Sequence, residues 1–255
     1  ADPSFFSVSG LSELAESLLA KNSYAAVITS SGSFTPQLVG LKMKSRDPSI
    51  KWIAQFFDPL PEDNPGYRKR LNLGCRLVGK TDEVLKKADH LVFSKNLYSY
   101  YSRKKALYAE KMRIIDIPLI KEIPSIENGS RSEDYDFEES KINLVYSGSM
   151  YRRVRNPDYL FKVLKLLPND KYRLHIIGES AVQNLVTKNE LQDMVIIHGA
   201  LSHEKALTFI NNADILLNLG NYHDYLVPSK IFNYISTGLP IINFKSIDAD
   251  SSSTY

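Results

Sequence analysis

Between Val227 and Pro240 the chain reads Val-Pro-Ser-Lys-Ile-Phe-Asn-Tyr-Ile-Ser-Thr-Gly-Leu-Pro, and this stretch carries groups suited to binding an anion. Pro228 fits the first position of a helix, where a missing N–H costs nothing. Gly238 followed by Pro240 fits its end. The N–H groups of Ser229 and Lys230 then lack intrahelical partners and sit at the positive end of the helix dipole, with the Lys230 ammonium beside them. That combination suits a phosphate; the plainer alternative is an ordinary capped helix with both side chains solvated. Ile231 and Ile235, four apart with Phe232 between them, mark the face expected to be buried, and residues 241–244 read as an interior strand.

A second group of residues lies upstream. Gly148 follows a strand and lets the backbone pass close to a ligand, and Arg152, Arg153 and Arg155 come directly after it. Gly178 and Glu179 end the next strand. The loop 220–230 contains Asn221, His223, Asp224 and Tyr225 and leads into the anion-ready helix. A doubly wound sheet binds ligands at the carboxyl ends of its strands, and an arginine can hold a phosphate bidentately. A nucleotide diphosphate held between Gly148, the arginines and Ser229/Lys230 is the chemistry this pattern points to. There is no GxGxxG and no glycine-rich Walker sequence, which argues against NAD-type and P-loop chemistry. There is no HExxH or closely spaced set of ligands, so no metal is expected. His175 and His198 fall in or at the end of strands and read as hydrogen-bonded core residues; His223 alone lies in a ligand loop.

The elements that must position these groups alternate between strand and helix. Leu11, Leu14, Leu18 and Leu19 predict an amphipathic helix over about 11–21. Buried strands are expected at 24–29, 51–57, 91–93 and 113–115, with helices near 35–44, 66–88 and 96–109. Residues 121–140 are polar and acidic and read as a linker. Strands then recur at 142–146, 172–177, 194–198 and 214–219, with helices opening at Asn156-Pro157, Gln183 and Ser202. This alternation predicts an α/β protein with mostly parallel sheets covered on both faces. The expected domains are 1–120 and 141–255, and the polar tail 248–255 is expected to be disordered or a rearranged end.

Composition narrows the class. The chain has 255 residues, 43% hydrophobic and 24% charged, and no apolar run long enough to span a bilayer. No signal peptide is visible, and the single cysteine, Cys75, excludes an internal disulfide. Both fit a reducing, cytoplasmic setting. The net charge of +3 conceals an asymmetry: residues 41–113 hold 17 Lys+Arg against 8 Asp+Glu. The basic, tyrosine-rich helix within this half offers Tyr98, Tyr101, Arg103, Lys104 and Lys105 for peripheral contact with a membrane surface or a lipid-linked acceptor. No nucleic-acid-binding motif accompanies the charge.

The second half resembles the nucleotide-sugar-binding domain of retaining GT-B glycosyltransferases, glycosyltransferase group 1 (family 4). The residues that carry the resemblance are Val145-Tyr146-Ser147-Gly148, Arg155-Asn156-Pro157, His175-Ile176-Ile177-Gly178, Ile197-His198-Gly199, residues 213–217, and above all Pro228 to Tyr234 with Gly238-Leu239-Pro240. The first half fits the acceptor-side domain more loosely, through 52–59, 88–93 and Ile117-Pro118. The resemblance implies two Rossmann-like, doubly wound parallel-sheet domains, both incomplete at the outer ends of this chain. It implies transfer of a sugar, with retention, from a UDP- or GDP-linked donor to a glycan or glycolipid acceptor of a cell-surface polysaccharide pathway. No cofactor and no essential metal are implied. By position, Gly148, Ser149, Arg152, Arg155, Ser229 and Lys230 match the diphosphate site. Gly178, His198, Gly199 and Asn233 match the ribose and base side, and Asn221, His223, Asp224 and Tyr225 the donor-sugar loop. No catalytic residue is assigned. Three positions depart from the family: Asn233 stands where its second signature glutamate would be, Tyr225 where the first would be, and Ser149 where a basic residue usually follows the first glycine. A non-catalytic nucleotide-sugar-binding subunit and a GT-B-like nucleotide-sugar epimerase are the alternatives.

Overall fold

The structure is a computed structural model that describes residues 8–31, 33–64, 71–115, 137–150, 155–178, 182–248 and 250–254. The chain divides into two units, Ala1–Ile117 and Pro118–Tyr255, each built on its own parallel sheet. Most of the expected linker, residues 121–136, lies outside the described residues.

In the first unit the order is α1 (Val8–Lys21), β1 (Val27–Ser31), α2 (Thr35–Arg46), β2 (Trp52–Phe56), α3 (Leu71–Lys87), β3 (His90–Phe93), α4 (Lys95–Lys104) and β4 (Met112–Ile114). The strands lie in sequence order, β1-β2-β3-β4, all parallel. Right-handed crossovers that always step in one direction place their helices on one face, and the side chains show it. Trp52, 1% exposed, points at α2. Its indole lies where a Cβ on Gly40 would overlap it, and its Nε1 donates to Thr29 Oγ1 at 2.9 Å. Phe93, on the same face, lies between Phe56 and Tyr101 of α4, with ring centroids 4.9 and 5.4 Å away. On the other face Ile28 is 62% exposed, and His90 and Arg113 are exposed. The expected cover on both faces is therefore absent among the described residues of this unit. β1 is an edge strand starting at Val27, and Tyr24 before it is exposed, so the predicted buried strand 24–29 is corrected. α1 forms as predicted, but Leu11, Leu14 and Leu18 face outward while Ser12 is buried. Helical spacing identifies a face that burial would favour; it does not supply the surface that covers it.

Three residues expected to meet a membrane have partners within the fold, and Lys104 among them stays exposed. Tyr101 is fully buried; its hydroxyl donates to Asp63 Oδ2 at 3.0 Å and accepts from the Leu60 N–H at 2.8 Å. Burial, and then the Asp63 charge, push its phenol far above the usual range. Lys104 pairs with Asp63, and Lys105 bridges Glu62 and Asp82 at 3.0 Å each. Tyr98 is half-buried and Arg103 exposed. A long side chain near an acidic loop finds a partner within the fold, which sequence spacing alone does not reveal.

The second unit runs β5 (Ile142–Ser147), α5 (Asp158–Leu164), β6 (Tyr172–Ile177), α6 (Gln183–Lys188), β7 (Val195–Gly199), α7 (His203–Asn212), β8 (Ile215–Leu219), α8 (Lys230–Thr237) and β9 (Ile241–Phe244). Its sheet order is β7-β6-β5-β8-β9, all parallel. The chain steps one way from β5 to β7, then returns across β5 to lay down β8 and β9. Helices consequently cover both faces. Leu160, Phe161, Leu164, Val182 and Val186 pack with Leu144, Leu174 and Ile176 on one. Ala206, Phe209, Ile210 and Tyr234 pack with Val145, Ile177 and Leu216 on the other. Phe137 joins the second core, 4.7 Å from the His175 ring and 5.3 Å from Phe209.

Three local expectations change. β9 is an edge strand with Ile242 44% exposed, not an interior one. The buried face of α8 is Ile231, Phe232 and Tyr234, and Ile235 is 39% exposed. The tail is not loose: Asp250, Ser251 and Ser252 are buried and a 3-10 helix forms over Ser251–Thr254.

Candidate functional site

The reversal between β5 and β8 creates a crevice at the carboxyl ends of these strands, where open α/β sheets bind ligands. Three glycines stand at the carboxyl ends of β5, β6 and β7. Gly148, Gly178 and Gly199 have φ of 149°, 122° and 70°, values that a side chain opposes. They are bonded in series: the Gly148 N–H donates to the Ile177 carbonyl and the Gly178 N–H to the Gly199 carbonyl, both at 2.7 Å. A Cβ on Gly178 would stand 2.7 Å from the Gly148 oxygen. Sequence reasoning isolated these glycines one at a time; the pairing register places them side by side. Ser149, half-buried, follows in the same turn, with its carbonyl accepting from Tyr146 Oη at 3.2 Å.

Arg155 reaches this edge from the segment before α5. Its Nε donates to Asn221 Oδ1 at 2.9 Å. Asn221, 2% exposed, donates in turn from Nδ2 to the Leu226 carbonyl at 2.9 Å. The arginine therefore joins the β5 side of the crevice to the loop after β8, and Asn221 acts as its holder. Burial raises the Tyr146 phenol pKa, while the nearby Arg155 guanidinium pulls it the other way. Arg152 and Glu179 lie outside the described residues.

α8 begins two residues later than the spacing predicts. Ser229 is the N-cap, so Pro228 precedes the helix, and the Pro228 carbonyl accepts from the Ile231 N–H at 3.1 Å. The N–H groups of Ser229 and Lys230 still donate to no acceptor among the described residues, and they keep the favourable end of the dipole. Ser229 is exposed and Lys230 half-buried. Asn233, one turn on, shares the Lys230 side of the helix. The αL end at Gly238, φ 71°, is as predicted, and its N–H donates to the Ile235 carbonyl at 3.2 Å. Tyr234 was given no role by the sequence. It is 1% exposed, and its hydroxyl accepts from the Ser147 N–H at 2.7 Å. This bond fixes α8 to the residue preceding Gly148, so the helix N-terminus and the glycine turn are positioned together. Its aromatic character at a helical core position was the only available signal.

The remaining predicted residues divide. In the loop, His223 stacks on Tyr225 with centroids 5.1 Å apart; Tyr225 is buried and Asp224 exposed. His198 points inward. Its Nε2 is 3.0 Å from His175 Nδ1, and its ring lies 4.5 Å from Phe209. The backbone of Gly199 reaches the crevice edge, whereas the His198 imidazole belongs to the core beneath. His175 is fully buried, with Nε2 3.3 Å from Asn143 Oδ1. Burial first, then the charges of His198 and Arg173, lower its pKa to about 4.

The crevice thus presents a held guanidinium, an ammonium and the two unbonded N–H groups of a helix N-terminus, an array suited to a diphosphate. No group of metal-ligating side chains occurs among the described residues, nor any helix long and apolar enough to cross a membrane.

Comparison with known proteins agrees with this architecture. Residues 130–247 match the family model of glycosyl transferases group 1. No curated protein matches the chain. Among solved structures, sucrose-phosphate synthase from Thermosynechococcus elongatus is similar at a TM-score of 0.72 and 16% identity, over 95% of this chain and 61% of that one. Anabaena HepE, solved in complex with UDP and glucose, is similar at 0.68 and 11%, over 92% and 62%. The UDP-N-acetylglucosamine 2-epimerase from Rickettsia bellii is similar at 0.58 and 14%, over 96% and 63%. The chain spans about three fifths of the length of each of these structures. The segment that forms the doubly wound second unit is thus similar to the glycosyl transferases group 1, and the chain has a GT-B-type α/β fold.

Proposed function

We propose that the second unit binds a nucleotide sugar, UDP- or GDP-linked, and that the protein transfers its sugar to a glycan or lipid-linked acceptor with retention, without a cofactor or an essential metal. The observation that carries this reading is that Asn221, in the loop that leads to α8, holds Arg155 while Tyr234 of α8 bonds Ser147 next to Gly148, at one topological switch point. The diphosphate would lie against Gly148, Ser149, Arg155, Ser229 and Lys230, with Arg152 near by in sequence. Asn233 would hydrogen-bond the ribose, which an amide can do without charge. The backbone around Gly178 and Gly199 would face the base, and the 221–225 loop the sugar. A HepE structure containing UDP and glucose on a similar fold supports a donor of this class. The first unit, with its excess of basic residues, would meet the acceptor, at a membrane surface if the acceptor is lipid-linked.

A second reading, a nucleotide-sugar epimerase, is favoured by the likeness to a UDP-N-acetylglucosamine 2-epimerase. It needs no acceptor, so turnover of donor alone separates the two. The first test is calorimetric titration with UDP, GDP and ADP beside Arg155→Ala and Lys230→Ala. One nucleotide should bind with micromolar affinity, about −8 kcal/mol, and each variant should weaken it roughly tenfold or more. Folded protein that binds none of the three would overturn the donor-site reading.

A further inference from the structure

The tail, expected to be disordered or a rearranged end, holds two polar atoms with no protein partner among the described residues. Asp250 and Ser252 are each 4% exposed. Asp250 Oδ1 accepts from the Ser252 N–H at 2.8 Å, but Asp250 Oδ2 and Ser252 Oγ are bonded to nothing. Such groups are costly to leave unmade.

Their position is specific. The Asp250 carboxylate rests on Gly220, the first residue beyond β8, so closely that a Cβ there would overlap it. Ser251 Oγ donates at 2.6 Å to the Leu226 carbonyl, which also accepts from Asn221. Asn221 in turn holds Arg155. Asp250 is therefore joined, through its chain neighbour Ser251, the Leu226 carbonyl and Asn221, to the guanidinium at the proposed phosphate site. A group that satisfies it must donate hydrogen bonds and carry no negative charge, since a further phosphate would be repelled. A neutral polyhydroxyl unit joined to a phosphate held at Arg155 meets both conditions.

We infer that Asp250, with Ser252, receives hydroxyl groups of the donor sugar and so determines which sugar the protein takes. This rests on the donor-site reading above. The test is calorimetry on the full chain with UDP, GDP and ADP and with UDP-glucose, UDP-N-acetylglucosamine, GDP-mannose and ADP-glucose, for the parent, Asp250→Asn and Ser252→Ala. Asparagine keeps the shape and the bond to the Ser252 N–H, and thermal melts check that each variant folds. The nucleotide that binds the parent should bind Asp250→Asn within about twofold, while its preferred sugar conjugate weakens about tenfold. Ser252→Ala should show the same split, a few-fold in size. Equal weakening of nucleotide and conjugate, or no change in either, would overturn the assignment and leave the donor site standing. A folded parent that binds no nucleotide would remove the donor-site reading, and this inference with it.

Discussion

His175 makes the stability of the second unit depend on pH in a calculable way. Its imidazole is fully buried, faces His198 and Asn143, and has its pKa lowered to about 4. In the unfolded chain a histidine titrates near 6.5. Between these two values the unfolded state binds a proton that the folded state refuses, so stability is complete above pH 6.5 and falls as the pH drops toward 4. The slope is about 1.4 kcal/mol per pH unit, giving a loss of about 2 kcal/mol from pH 7.5 to 5 and about 3 kcal/mol by pH 4. Urea unfolding followed by circular dichroism, at steps across this range, measures it. Carboxylates contribute at the acid end, so the informative quantity is the difference between the parent and His175→Gln. The variant should lose most of the dependence between pH 7.5 and 5. A parent curve that the substitution leaves unchanged, or a His175 ring that titrates near 6.5 by NMR in the folded protein, would refute the reasoning.

Gly178→Ala forces a Cβ to within 2.7 Å of the Gly148 oxygen at a φ of 122°. It should destabilise the second unit by roughly 1–3 kcal/mol and weaken nucleotide binding further than it lowers the melting temperature, because the Gly148 turn must move; calorimetry beside thermal melts reads both. Tyr101→Phe strands the buried Asp63 carboxylate oxygen and the Leu60 N–H, and should cost the first unit about 1–3 kcal/mol. The fluorescence of Trp52, the single tryptophan, reports unfolding of that unit.

The sequence by itself determined a good deal. Short apolar runs located β2, β3 and β5 to β8, because a strand buried in a parallel sheet must be apolar almost throughout. Gly238 marked the end of α8, because few residues other than glycine adopt φ near 70° at no cost. Ser202 marked the start of α7, where its Oγ accepts from the Lys205 N–H. The anion-ready residues Ser229 and Lys230 were also readable, since a helix start is a local property.

What only the tertiary structure decided is the company each residue keeps. The one-way strand order of the first sheet left Ile28 and the α1 leucines facing outward, although their pattern asks for burial. Edge positions exposed Ile242. Tyr101, Lys104 and Lys105 look like a membrane-facing set along the chain, yet they bond to Asp63, Glu62 and Asp82 of distant segments. His198 lies beside Gly199 in sequence but points away from the crevice, because alternate strand residues face opposite sides of a sheet. Tyr234 fixing α8 to Ser147, Asn221 holding Arg155, and Asp250 seated on Gly220 all join residues tens of positions apart. Such pairings depend on strand register and on the reversal between β5 and β8, which no local pattern encodes.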